Sequence, residues 1–320
     1  MNFAGESMVR RCIHIISELK FNCKILKMKK NITTKGLSYS LTIAFAMMFS
    51  GVDGQKNKPL LPKPPGIVSY TYRNNFQKDV PATLDIVKAN GITDIEFSNL
   101  FKKTAAEMRM LIDERGIKCS SFGVGYEDLV NKTDEVAKNA RILGAAYVRV
   151  AGIPHKGTFT LENANKAVED FNKYGKILKD KYGLAFIYHN HGFEFEPYEN
   201  GTLYDYIVNN TNPAYVSFEL DILWAVFPGQ DPAKLIAKYG KRYKALHLKD
   251  LRKGVVGNLS GGTSGENDVV LGTGQIDIAA VLKAAKKAGI QHYYIEDESS
   301  NSITQVPESI KYLNSLKMNR

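Results

Sequence analysis

The stretch "GIVSYTYRNNF", residues 66–76, decides between the two α/β architectures open to this chain. "GIVSYTY" (66–72) follows a Pro-rich run and reads as a short strand. In an open doubly wound sheet, the turn after the first strand carries a glycine-rich phosphate loop. Here that position reads "SYTYRNNF", without a glycine. Further strand patterns follow at "TDIEFS" (93–98), "KCSSFGV" (118–124), "AYVRVAG" (146–152), "LAFIYHN" (184–190), "YVSFELD" (215–221), "KALHLKD" (244–250) and "HYYIED" (292–297). Between them lie "ATLDIVKANG", "AAEMRMLIDERG", "DEVAKNARILG", "ANKAVEDFNKYGKILKDKYG", "TLYDYIVNN", "DPAKLIAKYG" and "IAAVLKAAKKAG". Several have apolar residues at i, i+3 and i+4 and end in glycine, the pattern of a capped amphipathic helix. Strands alternating with helices over roughly 250 residues predict an α/β fold, a (β/α)8 TIM barrel. It forms a single domain over residues 66–320.

The formal charge of +10 is unevenly placed. Residues 1–58 carry ten Lys and Arg against Glu6, Glu18 and Asp53, and the remainder of the chain keeps only +3. That balance argues against a nucleic-acid partner. Residues 1–54 read as a leader with a signal peptide. "MKKNITTKG" is basic, "LSYSLTIAFAMMFSGV" is apolar, and small residues precede an expected cut near Gln55. Met28 reads as the natural start. The apolar run is short for a membrane anchor and contains Ser and Thr. The expectation is export to the periplasm or beyond without a stable membrane anchor, followed by a linker over 55–65. Cys119 is the one cysteine outside the leader, in an apolar strand pattern, and reads as a small buried residue.

In a barrel of this type, chemistry gathers at the C-terminal strand ends. Glu96 ends the second strand pattern, and His189 and His191 end the fifth. Glu219 and Asp221 end the sixth, His247 and Lys249 the seventh, Glu296 and Glu298 the eighth. Residues i and i+2 of a strand point the same way, so each pair predicts two polar groups on one face. Buried charges need partners or a cation. A divalent metal held by carboxylates and imidazoles meets that need; mixed N/O ligands suit Mn²⁺, Zn²⁺, Co²⁺ or Fe²⁺ better than Ca²⁺, and Mg²⁺ stays among the candidates. The competing readings are structural histidines and an internal Glu219–Lys249 salt bridge.

"YHNHGFEFEP", "FELDILWAVFPGQDP", "LHLKD", "LGTGQIDIAAVLKAAKKAG" and "YIEDE" together resemble the xylose isomerase-like TIM-barrel superfamily of sugar isomerases and epimerases, in particular its secreted Bacteroidetes-type members. The resemblance spans about residues 66–316. It implies a metal held at the ends of strands five to eight, by His189, Asp221, His247 and Glu296 here. Many epimerases of the family have glutamate where this chain has His189. Relatives with histidine there resemble proteins acting on 3-keto sugars by elimination or hydration.

The resulting expectation is a divalent-metal-dependent sugar isomerase/epimerase or related lyase. His191, Glu296 and Glu96 are its candidate acids and bases. The imidazole of His191 has an unperturbed pKa of roughly 6.5, suited to proton transfer near neutrality. Lys249, Trp224 and His155 are candidate substrate contacts. The partner is a small carbohydrate, and no basic phosphate clamp is evident. "GTGQID" (272–277) reads as a turn leading into the last helix pattern, and Glu194 and Glu196 as solvated or supporting residues. Two alternatives remain: a non-catalytic sugar-binding barrel, and a phosphodiesterase resembling endonuclease IV. The five histidines outside the leader are too few for the several metals of the latter.

Overall fold

The computed structural model describes residues 58–61 and 63–317; the leader expected over 1–54 lies outside the described residues. Eight parallel strands close a barrel: β1 (Gly66–Val68), β2 (Asp94–Phe97), β3 (Lys118–Val124), β4 (Tyr147–Val150), β5 (Ala185–His189), β6 (Val216–Asp221), β7 (Tyr243–Leu248) and β8 (His292–Ile295). Each pairs with its sequence neighbours, and β1 closes on β8. The main crossover helices are α1 (Val80–Ala89), α2 (Ala105–Asp113), α3 (Thr133–Leu143), α4 (Leu161–Tyr182), α5 (Leu203–Asn210), α6 (Pro232–Tyr239) and α7 (Ile278–Ala288), with α8 (Ser302–Ser315) after the last strand.

The stretch that pointed to a barrel also fastens its seam. β1 is shorter than its sequence pattern, because Ser69–Tyr72 turn into a 3-10 helix. In that turn the Thr71 hydroxyl donates to the Ile295 carbonyl at 3.3 Å and accepts from the Asp297 N–H at 3.2 Å, which ties the end of β1 to the end of β8. A Cβ on Gly66 would lie 2.7 Å from the Asp94 carbonyl and 2.9 Å from the Tyr294 ring, so closure needs glycine there.

Local signals explain most helix limits. Thr104 with Glu107 and Thr160 with Asn163 form reciprocal caps at the starts of α2 and α4. Gly183, at φ 69°, ends α4 in the left-handed region that glycine adopts without strain, immediately before β5. "TLYDYIVNN" does form α5, started by a Thr202–Asp205 reciprocal cap. A two-stranded ribbon, Pro197–Tyr198 with Gly201–Thr202, precedes it and had no clear sequence signal. The "GTGQID" turn is held from β7: the Asp250 carboxylate accepts from the N–H groups of Gly272 (2.9 Å), Gly274 (2.9 Å) and Ile276 (3.1 Å).

Ile67, Leu84, Ile95, Phe97, Phe186, Leu220, Leu246 and Ile295 are buried between the layers. Each such side chain contributes ~1.5–3 kcal/mol relative to exposure. Cys119 is buried beside the Ser121 carbonyl, and burial together with the charge of Glu96 pushes its thiol pKa up, so it is no nucleophile. Among the described residues, no helix is long and apolar enough to cross a membrane.

Candidate active site

Strand register assembles the polar residues at the C-terminal ends. His189 on β5 is the register partner of Glu219 on β6, and Asp221 on β6 that of His247 on β7. Asn190, directly after β5, bridges to the end of β6: its side-chain oxygen accepts from the Asp221 N–H at 3.0 Å, and its amide donates to the Asp221 carbonyl at 3.3 Å. The Asp221 carboxylate starts the next short helix by accepting from the Trp224 N–H at 3.0 Å.

His189, Asp221, His247 and Glu296 are all buried, and each offers a ligand atom within 4.8 Å of the others. His189 Nδ1 lies 3.1 Å from Glu219 Oε2. Facing a carboxylate, Nδ1 carries the proton, which leaves the Nε2 lone pair directed to Asp221 Oδ2 at 3.9 Å. His247 Nε2 lies 3.0 Å from Glu96 Oε1 and 3.1 Å from Glu219 Oε2, while its Nδ1 faces Glu296 Oε2 at 2.6 Å and Asp221 Oδ2 at 3.9 Å. Both imidazoles are thus backed by carboxylates on the side away from the cluster, the usual outer support of metal-binding histidines.

Electrostatics sharpen the picture. Burial, aided by the nearby His247, pushes the His189 pKa well below the usual value and keeps it neutral, as a ligand must be. Burial opposes a charge on His247, but Glu219 and Glu296 outweigh it and hold the ring protonated when no cation is bound. Burial, with Glu296 adding to it, pushes Asp221 up to about 7. Its Oδ2 is buried without a hydrogen-bond partner. An orphaned carboxylate oxygen among three further ligand atoms is what a divalent ion satisfies. The residues present therefore fit a metal.

His189, His247 and Glu296 line a cavity of about 460 Å³, the size of a small-molecule site, while Asp221 is fully buried outside its lining. His191 and Trp224 form one wall, with ring centres 5.7 Å apart, and Glu296 and Glu298 stand on another. His191 lies two residues past β5, and its ring centre is 5.1 Å from that of His189. Its backbone N–H donates to the Glu194 carboxylate at 3.0 Å. Glu194 is fully buried and also accepts from the Tyr188 hydroxyl, and burial pushes its pKa up to about 7. Glu194 is thus a support and not a solvated loop acid. The near-neutral pKa expected for His191 is not met: burial, with the charge of Lys249 adding to it, pushes it down to about 4. At neutral pH this imidazole is uncharged, and the same shift makes it a weaker base than an ordinary histidine.

Other candidates fall at different depths. Lys249 is buried and pairs with Glu298 at 2.6 Å, with Asp268 at 3.7 Å and Glu296 at 3.8 Å, so the Glu219–Lys249 bridge does not form. Its ammonium lies 5.4 Å from the Trp224 ring centre. Glu96 is fully buried behind His247, outside the cavity lining. His155 packs on Phe193 at 4.3 Å between ring centres and also lies off the lining.

Arg149 on β4 escaped the sequence reading. Buried and facing the cavity, its Nε sits 2.9 Å from Glu96 Oε1 and 3.7 Å from Glu219 Oε2. Gly123 on β3 makes room for it, since a Cβ there would lie 2.6 Å from the guanidinium. The one available signal was a charged residue inside the otherwise apolar "YVRV" strand.

A sequence model described as a xylose isomerase-like TIM barrel matches residues 84–316. The chain belongs to this family. Inosose dehydratase 1 of Bacillus cereus is 35% identical over 102 residues, 32% of this chain and 33% of that protein. The match thus spans a third of the length of such curated relatives of this xylose isomerase-like barrel. A crystal structure of a sugar phosphate isomerase/epimerase from Parabacteroides distasonis is 26% identical with a TM-score of 0.64, covering 80% of this chain and 94% of that one. The crystal structure of IOLI protein with a binding zinc atom shares the fold at 16% identity and a TM-score of 0.63, covering 78% of this chain and 95% of that one.

Proposed function

We propose that this barrel is a divalent-metal-dependent enzyme that moves a proton next to the carbonyl of a sugar or cyclitol. Its outcome is elimination or hydration, as in a 3-keto-glycoside lyase or hydratase, in preference to epimerisation. One observation carries the reading: four ligand residues converge, three of them on the cavity lining, and the neutral His191 imidazole, its Nδ1 buried without a partner, lines the same cavity. The inosose dehydratase and sugar isomerase relatives support the same class of chemistry.

His189, Asp221, His247 and Glu296 would hold the metal, which supplies Lewis-acid polarisation of the substrate carbonyl. His191 takes the proton α to that carbonyl. The electron pair left behind forms the α,β double bond, and the β-substituent departs with its own bonding pair. Hydration is the reverse, with water adding at the β-carbon. Glu194 fixes the His191 backbone, and Trp224 offers a ring face to the sugar. Glu96 and Glu219 act from behind by orienting the two imidazoles. With His189 in place of glutamate, the symmetric pair of carboxylate bases that epimerisation uses is absent.

Incubation of metal-loaded protein with a 3-keto-glucoside, inosose and a free ketose in deuterated water tests the proposal. An enone or hydrated product from a keto substrate is expected. Clean epimerisation of the free ketose with deuterium exchange, and no enone, would overturn it. Export belongs to the same proposal: a mature N-terminus near residue 55 is expected in the native host, and an intact leader on cytoplasmic protein would contradict it.

A further inference from the structure

Among the described residues, the two buried cations at the site are paired with carboxylates, while Arg73 donates to the Tyr70 and Glu298 carbonyls instead. Arg149 faces Glu96 and Glu219, and Lys249 faces Glu298, Asp268 and Glu296. Asp221 brings one further acid, and with Glu296 it makes up the two carboxylates of the ligand set, which a divalent ion would only balance. Even with metal bound, carboxylates outnumber cations around the substrate space. A phosphate or carboxylate entering it would meet paired cations and several buried acids, and like charges brought together at a binding site are strongly disfavoured.

We propose, resting on the reading of the site above, that the cavity selects an uncharged keto sugar and rejects phosphorylated or acidic sugars, with Glu298 as the determining residue. Of the three acids facing Lys249, Glu298 is closest and lies on the cavity wall without being assigned to the metal. Its backbone is fixed on both sides: its N–H donates to Asp268 at 2.8 Å, and its carbonyl accepts from Arg73 at 3.1 Å. The carboxylate is thereby held on the ammonium. Asp268 and Glu296 stand more than an ångström further off, so neutralising Glu298 leaves Lys249 with only its weaker partners. The ammonium then becomes available to an anionic group near Trp224. A neutral keto sugar needs no such charge.

The test is calorimetric binding at low salt to the metal-loaded chain, using a 3-keto-glucoside, its 6-phosphate and the corresponding uronate. The wild type should bind the neutral sugar at least about tenfold more tightly than either anion. Glu298→Gln should narrow that gap about tenfold by gaining on the anions, and Glu298→Asp, which keeps the charge, should preserve most of it. A wild type that binds the phosphate ester as tightly as the neutral sugar overturns the selectivity and leaves the functional reading standing. An unchanged gap in Glu298→Gln overturns the role of Glu298. Failure to bind any of the three overturns the functional reading and this inference together.

Discussion

Glu219 Oε2 lies 3.1 Å from His189 Nδ1, on the neighbouring strand and in register with it. A negative charge thus lies against the outer nitrogen of His189, supplied by the neighbouring strand. Imidazole stands between that carboxylate and the cluster, and the proton on Nδ1 fixes which nitrogen faces inward.

From this follows the behaviour of Glu219→Gln. The amide can still touch His189, but it no longer dictates the tautomer or supplies charge. Metal affinity should fall about 10–100-fold. Competition with a chelator measures it, and the rise in Tm on adding metal should shrink in parallel.

Arg149 is, among the described residues, the sole guanidinium on Glu96 and Glu219, both fully buried. Removing one partner of a buried ion pair leaves uncompensated charge. Arg149→Met should therefore cost ~3–5 kcal/mol in urea unfolding, although methionine is itself well suited to a core.

His191 and His189 are neighbours with different assigned roles, and their alanine variants should separate. His191→Ala should keep its metal while activity falls about 10²–10⁴-fold, the usual contribution of a general base. His189→Ala should lose both. Metal content and turnover on the same preparations distinguish the two.

The opposite end of the barrel provides a pH-dependent test away from the site. Burial opposes a charge on Asp94, but hydrogen bonds from His292, Ser120 and Lys63 outweigh it and hold the pKa below the usual value. Lys63 and His292 lie 2.9 and 3.0 Å away. A lowered folded pKa stabilises above the unfolded value of roughly 3.9, and the benefit is lost as pH falls through the folded value. Asp94→Asn should thus cost ~1–2 kcal/mol at pH 7, and the difference from wild type should shrink below about pH 4. Urea midpoints at pH 7, 5 and 3 measure it.

The barrel was legible because strand patterns, helix periodicity and terminal glycines all pointed to the same alternation. Strand ends were less so: Ser69–Tyr72 is rich in strand-forming residues, yet it turns to let Thr71 reach β8. The ligand cluster could be read from i, i+2 polar pairs at successive strand ends. Arg149 could not, because its partners lie on β2 and β6 and only barrel closure brings them to β4. The pKa of His191 was hidden for a similar reason, since burial by Trp224, Phe193 and the loop at Gly261 is a tertiary property.

Metal content by elemental analysis, for the wild type beside Asp221→Ala and Glu296→Ala, tests the central claim most directly. About one divalent ion per wild-type chain and little in either variant is predicted. Equal metal in all three proteins would contradict the ligand set and the chemistry built on it.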